Sequence, residues 1–383
     1  MRSIALILFV FISYTGTAQP FYGRTTGRLP YLNYGLGEDR LGGAKMTYLD
    51  SNILVKVVDS VKADYKIQLS SSHFAYLPKN HFRRDTSIKI QPHYNTASWR
   101  IWGDDKHDFV SIALPEKLPY RVQQEINPSK IIVDIFGAVS NTNWITQLKT
   151  AKEIKNAWYE QLQDDVFRIH ILLKHQQHWG HLLYYNKNAL HIRIKRQPES
   201  LKIKNLKIAI DAGHGGVNTG ATGITTQIKE KDYTLKMAQQ LEKYLTSKKA
   251  TVFMTRSEDV DINMIDRTLM LREQDPDILI SIHLNSSSNQ AIKGTSTYYR
   301  HIGFRPPSEK ILDRMLELGL ANFGNIGAFN FSLSGPTEYP NTLVEVAFLS
   351  NREDEQRIIE PKFHKDVAKQ IYKGIKDWLK NIK

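Results

Sequence analysis

Residues 206–216 read LKIAIDAGHGG, an apolar run that ends on Asp211 and breaks into a turn holding one histidine among three glycines. An uninterrupted apolar run of this length suits a strand covered on both faces. Glycine permits the tight turn that would present His214 at the strand's carboxyl end. The texture repeats downstream. DYTLKMAQQLEKYLTSK (232–248) spaces Leu235, Met237, Ala238, Leu241 and Leu245 along one helix face, with Asp232 as N-cap. TVFMT (251–255) reads as a strand, NMIDRTLMLREQ (263–274) as a helix and DILISIH (277–283) as a second buried strand. GTSTYYR (294–300) reads as a more exposed strand, and SEKILDRMLELGLANF (308–323) as a helix opened by Ser308. TLVEVAFL (342–349) is a further buried strand, and residues 362–380 form a closing amphipathic helix. This alternation predicts an α/β domain over 206–383, a mostly parallel sheet flanked by helices.

In such sheets, reactive groups collect outside the carboxyl ends of the strands. His214 lies three residues past Asp211, and His283 closes DILISIH, so both reach one rim from different strands. A zinc site with an open position needs a third ligand, and Glu230, in the loop QIKEK (227–231), is the candidate. Glu345 interrupts the apolar strand TLVEVAF. A lone carboxylate there is costly unless it is paired or reaches a polar cleft. Each residue has an ordinary reading: a loop histidine, a first-turn glutamate, a strand-end ring. The set of four on one rim points to a metal centre with a carboxylate beside it.

The front half is β-rich. ILVKVV (53–58), YKIQL (65–69) and FAYLP (74–78) are short strands with turn residues between them. YKIQLSSSHFAYLPKNHF (65–82) resembles the end of a bacterial Src-homology-type small barrel. The likeness places such a unit at 40–83, and these modules usually bind cell-wall peptides. FVSIALPEKLPYRVQQEINPSKIIVDIFGA (109–138), VFRIHILL (166–173) and ALHIRIKR (189–196) make two strand-rich halves. NPSKIIVDIFGA carries a resemblance to the AMIN-type β-sandwich, which targets envelope enzymes to the cell wall, over 98–196. QPESLKIKN (197–205) is polar, contains a proline and reads as a linker. His175, His178 and His181 recur every third residue, a spacing that invites a metal reading. Gly180 and the neighbouring glutamines argue against a rigid helix, and no carboxylate stands in the same few residues, so a solvated β-connection is expected.

The 383 residues hold 52 Lys+Arg and 39 Asp+Glu, a formal net charge of +13. Residues 201–383 contribute 26 basic against 22 acidic, leaving 26 against 17 in the first 200. The basic front half predicts attraction to a polyanion. Met1-Arg2-Ser3, the apolar IALILFVFI (4–12) and the small residues Thr15–Ala18 read as a secretory signal cleaved near Ala18. The apolar stretch is short for a membrane span, and no later stretch is long and apolar enough to cross a bilayer. An exported, periplasmic or otherwise extracytoplasmic protein meets anionic envelope polymers rather than nucleic acid. There are no cysteines, which excludes disulfides, thiolate ligands and a cysteine nucleophile.

Residues 206–380 resemble the zinc-dependent N-acetylmuramoyl-L-alanine amidases of the family that includes the bacterial division amidases. The matching segments are IAIDAGHGG (208–216), Glu230-Lys231-Asp232, MTRSED (254–259), ILISIHLNSS (278–287) and TLVEVAFLSNREDE (342–355). The resemblance implies Zn2+ held by His214, Glu230 and His283, with Glu345 as the catalytic glutamate. It implies peptidoglycan as substrate, cut between the lactyl group of muramic acid and L-alanine. Asn285 is a candidate for holding substrate or a developing oxyanion, and Asp211 for supporting the turn or contacting a ligand. Leu284 and Ala347 depart from the smaller residues common in the family, and neither is expected to touch a ligand. One clear helix separates His283 from Glu345, so no helical plug over the site is expected. Regulation then falls to the front domains, to envelope regulators acting through them, or to substrate access. Three other readings stay open: an exported zinc peptidase acting on wall peptides, a catalytically silent wall-binding or regulatory protein, and a nonspecific cationic envelope-binding protein.

Overall fold

The computed structural model describes residues 19–37 and 41–382. The segment read as a secretory signal, 1–18, lies outside the described residues. Among those described, no helix is long and apolar enough to cross a membrane.

Three units follow one another along the chain. The first is a seven-stranded sheet ordered Lys45–Tyr48, Tyr31–Asn33, Phe74–Pro78, Asp64–Gln68, Leu54–Val61, Phe21–Thr25, Phe82–Arg84. It begins at Phe21, not at 40 as the sequence suggested. Phe21–Arg24 pair antiparallel with Leu54–Val57, so the early strand is built into the sheet rather than trailing from it. The second unit packs a five-stranded sheet (Ile145–Gln147, Trp99–Gly103, His107–Ala113, Ala189–Lys195, His181–Asn186) against a four-stranded one (Tyr120–Ile126, Ser129–Phe136, Val166–Leu173, Ile154–Gln163). Strand alternation sends Ile101, Val110, Ile112 and Ile192 inward from one sheet, and Ile131, Val133, Ile169 and Ile171 from the other. Trp99 meets Phe167 edge-on across the gap, ring centroids 5.9 Å apart. This core runs on into that of the first unit.

The third unit carries the site, and its elements are numbered from its first strand: β1 (Lys207–Ala212), α1 (Glu230–Ser247), β2 (Thr251–Met254), α2 (Met264–Gln274), β3 (Ile278–Asn285), β4 (Thr295–Tyr298), α3 (Arg305–Leu316), β5 (Asn322–Ile326), β6 (Asn341–Phe348), α4 (Arg352–Ile358) and α5 (Pro361–Asn381). The strand order is β2-β1-β3-β6-β4-β5. Neighbours run parallel, apart from β4 against β6. Alternate residues of the central strands enter different cores. Ile208, Ile210, Ile278, Ile280 and Ile282 pack with Met237 and Leu241 of α1 and Ile371 and Ile375 of α5. Ala209 and Leu279 pack with Leu271 of α2, Leu333 and Tyr339. Covering both faces stabilises each large aliphatic side chain by about 1.5–3 kcal/mol, which is why these strands read as unbroken apolar runs.

Several elements differ from expectation. β4 is buried along its whole length rather than exposed, because α3 and β6 both lie against it. α3 starts at Arg305, before Ser308. Pro306 and Pro307 occupy its first turn, where missing amide protons cost nothing. Ser308 is buried and accepts a hydrogen bond from Asn325 instead of capping. The helix stops at Leu316, and Asn322–Ile326, read as helix end and loop, pairs parallel with β4. α1 begins at Glu230, so Asp232 sits inside the first turn. The 197–205 linker is packed: Ile203 is buried, Trp179 donates to Gln197, and the Trp179 ring meets Trp378 of α5 at 5.1 Å.

Candidate metal centre

Three of the residues singled out in sequence converge at the carboxyl ends of β1 and β3. Glu230, the first residue of α1, is 4% exposed. Its Oε1 lies 3.1 Å from His214 Nε2 and 3.0 Å from His283 Nδ1, and accepts the Leu284 amide at 3.0 Å. Its Oε2 accepts the Ala221 amide at 2.8 Å. The two imidazoles meet edge-on, centroids 5.0 Å apart. His214, Glu230 and His283 each offer a ligand atom, all within 4.8 Å of one another, and no other such group occurs among the described residues. Burial alone would raise the Glu230 pKa, but hydrogen bonds with His214 and His283 outweigh it and hold the carboxyl well below the usual range. Burial pushes His283 down, and the Glu230, Glu345 and Asp211 carboxylates more than reverse that.

This trio fits a metal ion. His214 Nε2 and His283 Nδ1 both face Glu230 Oε1, at 3.1 and 3.0 Å, so three donor atoms converge on one point where a cation can take the place of the shared proton contacts. Two imidazole nitrogens and one carboxylate are a zinc-type donor set.

The turn that delivers His214 is forced into shape. His214 itself adopts φ +63°, a left-handed conformation that is costly for a side chain larger than glycine. Arg267 donates to the His214 and Ala212 carbonyls, and Arg256 to those of Ala212 and Gly213. Two buried guanidiniums thereby hold the strained backbone. Gly213 is required because a Cβ there would stand 2.4 Å from the His283 ring. At Gly220 (φ +65°) a Cβ would meet Glu230 at 2.5 Å. His214 Nδ1 lies 2.9 Å from Asn218 Oδ1, which fixes the ring's direction.

Asp211 is 1% exposed and accepts from Arg267 at 2.6 Å, and from Thr255 and Ser281 at 2.7 Å each. Burial would raise its pKa, yet Arg267 and these partners hold it lowered. It anchors Arg267 beneath the turn, and its charge acts on His283. Asn285 ends β3, where Oδ1 accepts the Ser286 amide and Nδ2 reaches the Tyr298 hydroxyl at 3.4 Å. Glu345 sits on β6 in register with His283 on β3 and with Ser296 on β4. It is the one residue of β6 that is not fully buried. Leu284, expected to stay clear of the ligands, touches Glu230 through its backbone amide, a contact most residue types could make.

The histidines at 175, 178 and 181 do not converge. His175 binds Glu153 at 2.6 Å, a carboxylate supplied from another strand's start. His178 Nε2 lies 2.8 Å from the Glu125 carbonyl and 3.2 Å from Ser129. His178 and His181 are buried, not solvated as expected, and burial lowers both pKa values. Sequence reasoning missed Arg256, Arg267 and Asn218. The arginines did leave a signal, Arg256 inside MTRSED and Arg267 on the buried face of α2.

Residues 208–377 match the N-acetylmuramoyl-L-alanine amidase family model. The germination-specific N-acetylmuramoyl-L-alanine amidase of Bacillus subtilis (strain 168) is 32% identical over 200 residues, covering 47% of this chain and 82% of that protein. The chain belongs to the N-acetylmuramoyl-L-alanine amidase family. A probable cell wall amidase, LytH, of Staphylococcus saprophyticus is 31% identical over 189 residues, covering 49% of this chain and 63% of its own length. Among solved structures, the catalytic domain of CwlV, an amidase from Bacillus (Paenibacillus) polymyxa var. colistinus, is similar at 32% identity and TM-score 0.44. That match covers 46% of this chain and 98% of that one. The family model leaves residues 1–207 unmatched.

Proposed function

We propose that this chain is an exported, zinc-dependent peptidoglycan hydrolase that cleaves the amide between N-acetylmuramic acid and the L-alanine of the stem peptide. The observation that carries the reading is Glu345, level with His283 on the next strand and the only opening in an otherwise buried β6. His214, Glu230 and His283 would hold the zinc. When bound, zinc supplies the Lewis acidity that polarises a carbonyl and acidifies water. Glu345 takes a proton from the attacking water as its oxygen bonds to the lactyl carbonyl carbon. It then returns that proton to the departing nitrogen as the C–N bond breaks. The products are a free lactyl carboxylate and a stem peptide with an L-alanine amino terminus. Asn218 orients His214, while Arg256, Arg267 and Asp211 hold the turn through the reaction. Asn285, half-buried at the end of β3, offers a polar contact to substrate.

The two front units serve as wall-binding modules in this reading, an AMIN-like sandwich behind a Src-homology-like sheet. The sandwich's outer face supports that role. Trp102 stacks on Phe109 (5.2 Å, 15°) and Tyr184 on His191 (5.3 Å, 22°), a half-exposed aromatic surface suited to sugar rings. The basic excess of this half suits anionic envelope polymers, and envelope regulators would act through the same units. The test is digestion of purified peptidoglycan with mass analysis of products for wild type and Glu345→Gln. Wild type should release free stem peptides, and the variant at least about 100-fold less. No release by wild type, or equal release by both, overturns the mechanism.

A further inference from the structure

The ring of Phe331 lies edge-on to His283, centroids 5.3 Å apart at 82°. Phe331 belongs to the segment that follows β5, where Phe329 packs on Tyr298 at 4.5 Å and Phe331 on the core of Leu271, Leu279 and Tyr339. Between the two phenylalanines, Asn330 reaches away from the site into the N-terminal sheet. Its Oδ1 accepts from the Lys45 amide at 3.1 Å and from Arg300 at 2.6 Å. Its Nδ2 donates to the Leu41 carbonyl at 3.1 Å and the Gly43 carbonyl at 2.9 Å. An asparagine side chain has two amide protons and two acceptor lone pairs, and all four are engaged here. Arg300 also donates to the Lys45 carbonyl, and the Tyr48 hydroxyl donates to the Ser332 carbonyl at 3.3 Å.

Ligand imidazoles are commonly aimed by a hydrogen bond on the second ring nitrogen. His283 has only Glu230 on Nδ1 and nothing on Nε2. Packing must therefore fix its ring: the Gly213 backbone passes close by, and Phe331 covers it edge-on. We propose that Asn330 is a positioning residue for the metal centre, through which the N-terminal sheet grips the 329–332 segment and seats Phe331 against His283. The front sheet is then part of the wall of the site as well as a module carried beside it. This rests on the metal reading given above.

The test uses the full-length protein loaded with Zn2+, as wild type, Asn330→Ala and Phe331→Ala. Zinc retention against a chelator, hydrogen exchange over residues 327–334 and stem-peptide release at saturating zinc are measured. Both variants should hold zinc about 10-fold more weakly than wild type, exchange should rise in Asn330→Ala, and excess zinc should restore most of the release. Phe331→Ala keeps the Asn330 contacts and decides the matter if Asn330→Ala does not fold. Wild-type zinc retention in Asn330→Ala, or in Phe331→Ala where Asn330→Ala does not fold, overturns the proposal and leaves Asn330 as a domain joint. Faster release by Asn330→Ala than by wild type also overturns it, making the segment a lid. If wild type releases no stem peptides, the amidase reading fails while zinc retention and exchange still judge the clamp.

Discussion

His175, His178 and His181 stand three residues apart in sequence and part company in the fold, whereas His214 and His283 come from separate strands and meet edge-on. The first set lies on the connection into an antiparallel strand, where residues three apart share no face. The second set lies at the carboxyl ends of two neighbouring parallel strands, and parallel order brings such ends to one rim whatever their distance in the chain. Proximity in sequence is therefore a poor guide to a site in a sheet protein, and equivalent position on strands is a better one.

The sharpest way to break this contrast is metal analysis. His214→Ala and His283→Ala should each lose at least about 90% of bound zinc and about 100-fold or more in stem-peptide release. His175→Ala should keep wild-type zinc content. A His175→Ala protein stripped of zinc would reverse the assignment. Next in size is Gly213→Ala, whose new Cβ has no room beside His283. It should lower release by about 10- to 100-fold at unchanged secondary structure, read by circular dichroism alongside the digestion. Wild-type activity there would mean that the His283 ring moves without penalty.

The buried histidines of the first set predict a pH effect. Burial pushes His178 down from 6.5 to about 4. The unfolded chain thus takes up a proton that the folded chain refuses. Stability is whole above pH 6.5 and falls as pH drops toward 4, by about 3 kcal/mol at most from this residue. Urea unfolding across that range should show a shallower decline for His178→Asn than for wild type. The smallest expected effect is at Asp134, 1% exposed between Arg121 and Arg168. Burial opposes its charge, but the two guanidiniums hold its pKa lowered. It stabilises the fold above the ordinary carboxylate pKa of about 3.9, and that contribution is lost as pH falls through its lowered value. Asp134→Asn should cost about 2 kcal/mol at neutral pH and progressively less as pH falls toward 2. Equal destabilisation at both pH values would point to packing instead.

The central strands were readable because both faces are covered, which makes KIAID and DILISI unbroken apolar runs. The helices α1, α2 and α5 were readable from their period. Boundaries failed where a local rule was overridden. Ser308 looks like a cap, but two prolines before it already suit a first turn, and its hydroxyl goes to Asn325. NFGNI was read as helix end and loop because a glycine and two asparagines weaken strand propensity, yet pairing along β4 recruits it. FYGRT was passed over for the same reason: its strand character comes from partners thirty or more residues away.

Within the site, the residue types and their order along the chain were set by sequence alone: a histidine after each of two buried strands, a glutamate opening a helix, and a carboxylate inside an apolar strand. These carry chemistry that few structural demands would produce together. What only the tertiary structure decided is how those residues are held. A left-handed His214 clasped by two buried arginines, a glycine kept bare for the His283 ring, and an asparagine tied into a sheet almost three hundred residues upstream all depend on long-range contacts. Such contacts leave no periodic trace, because side-chain charge and hydrogen bonding act across space and not along the chain.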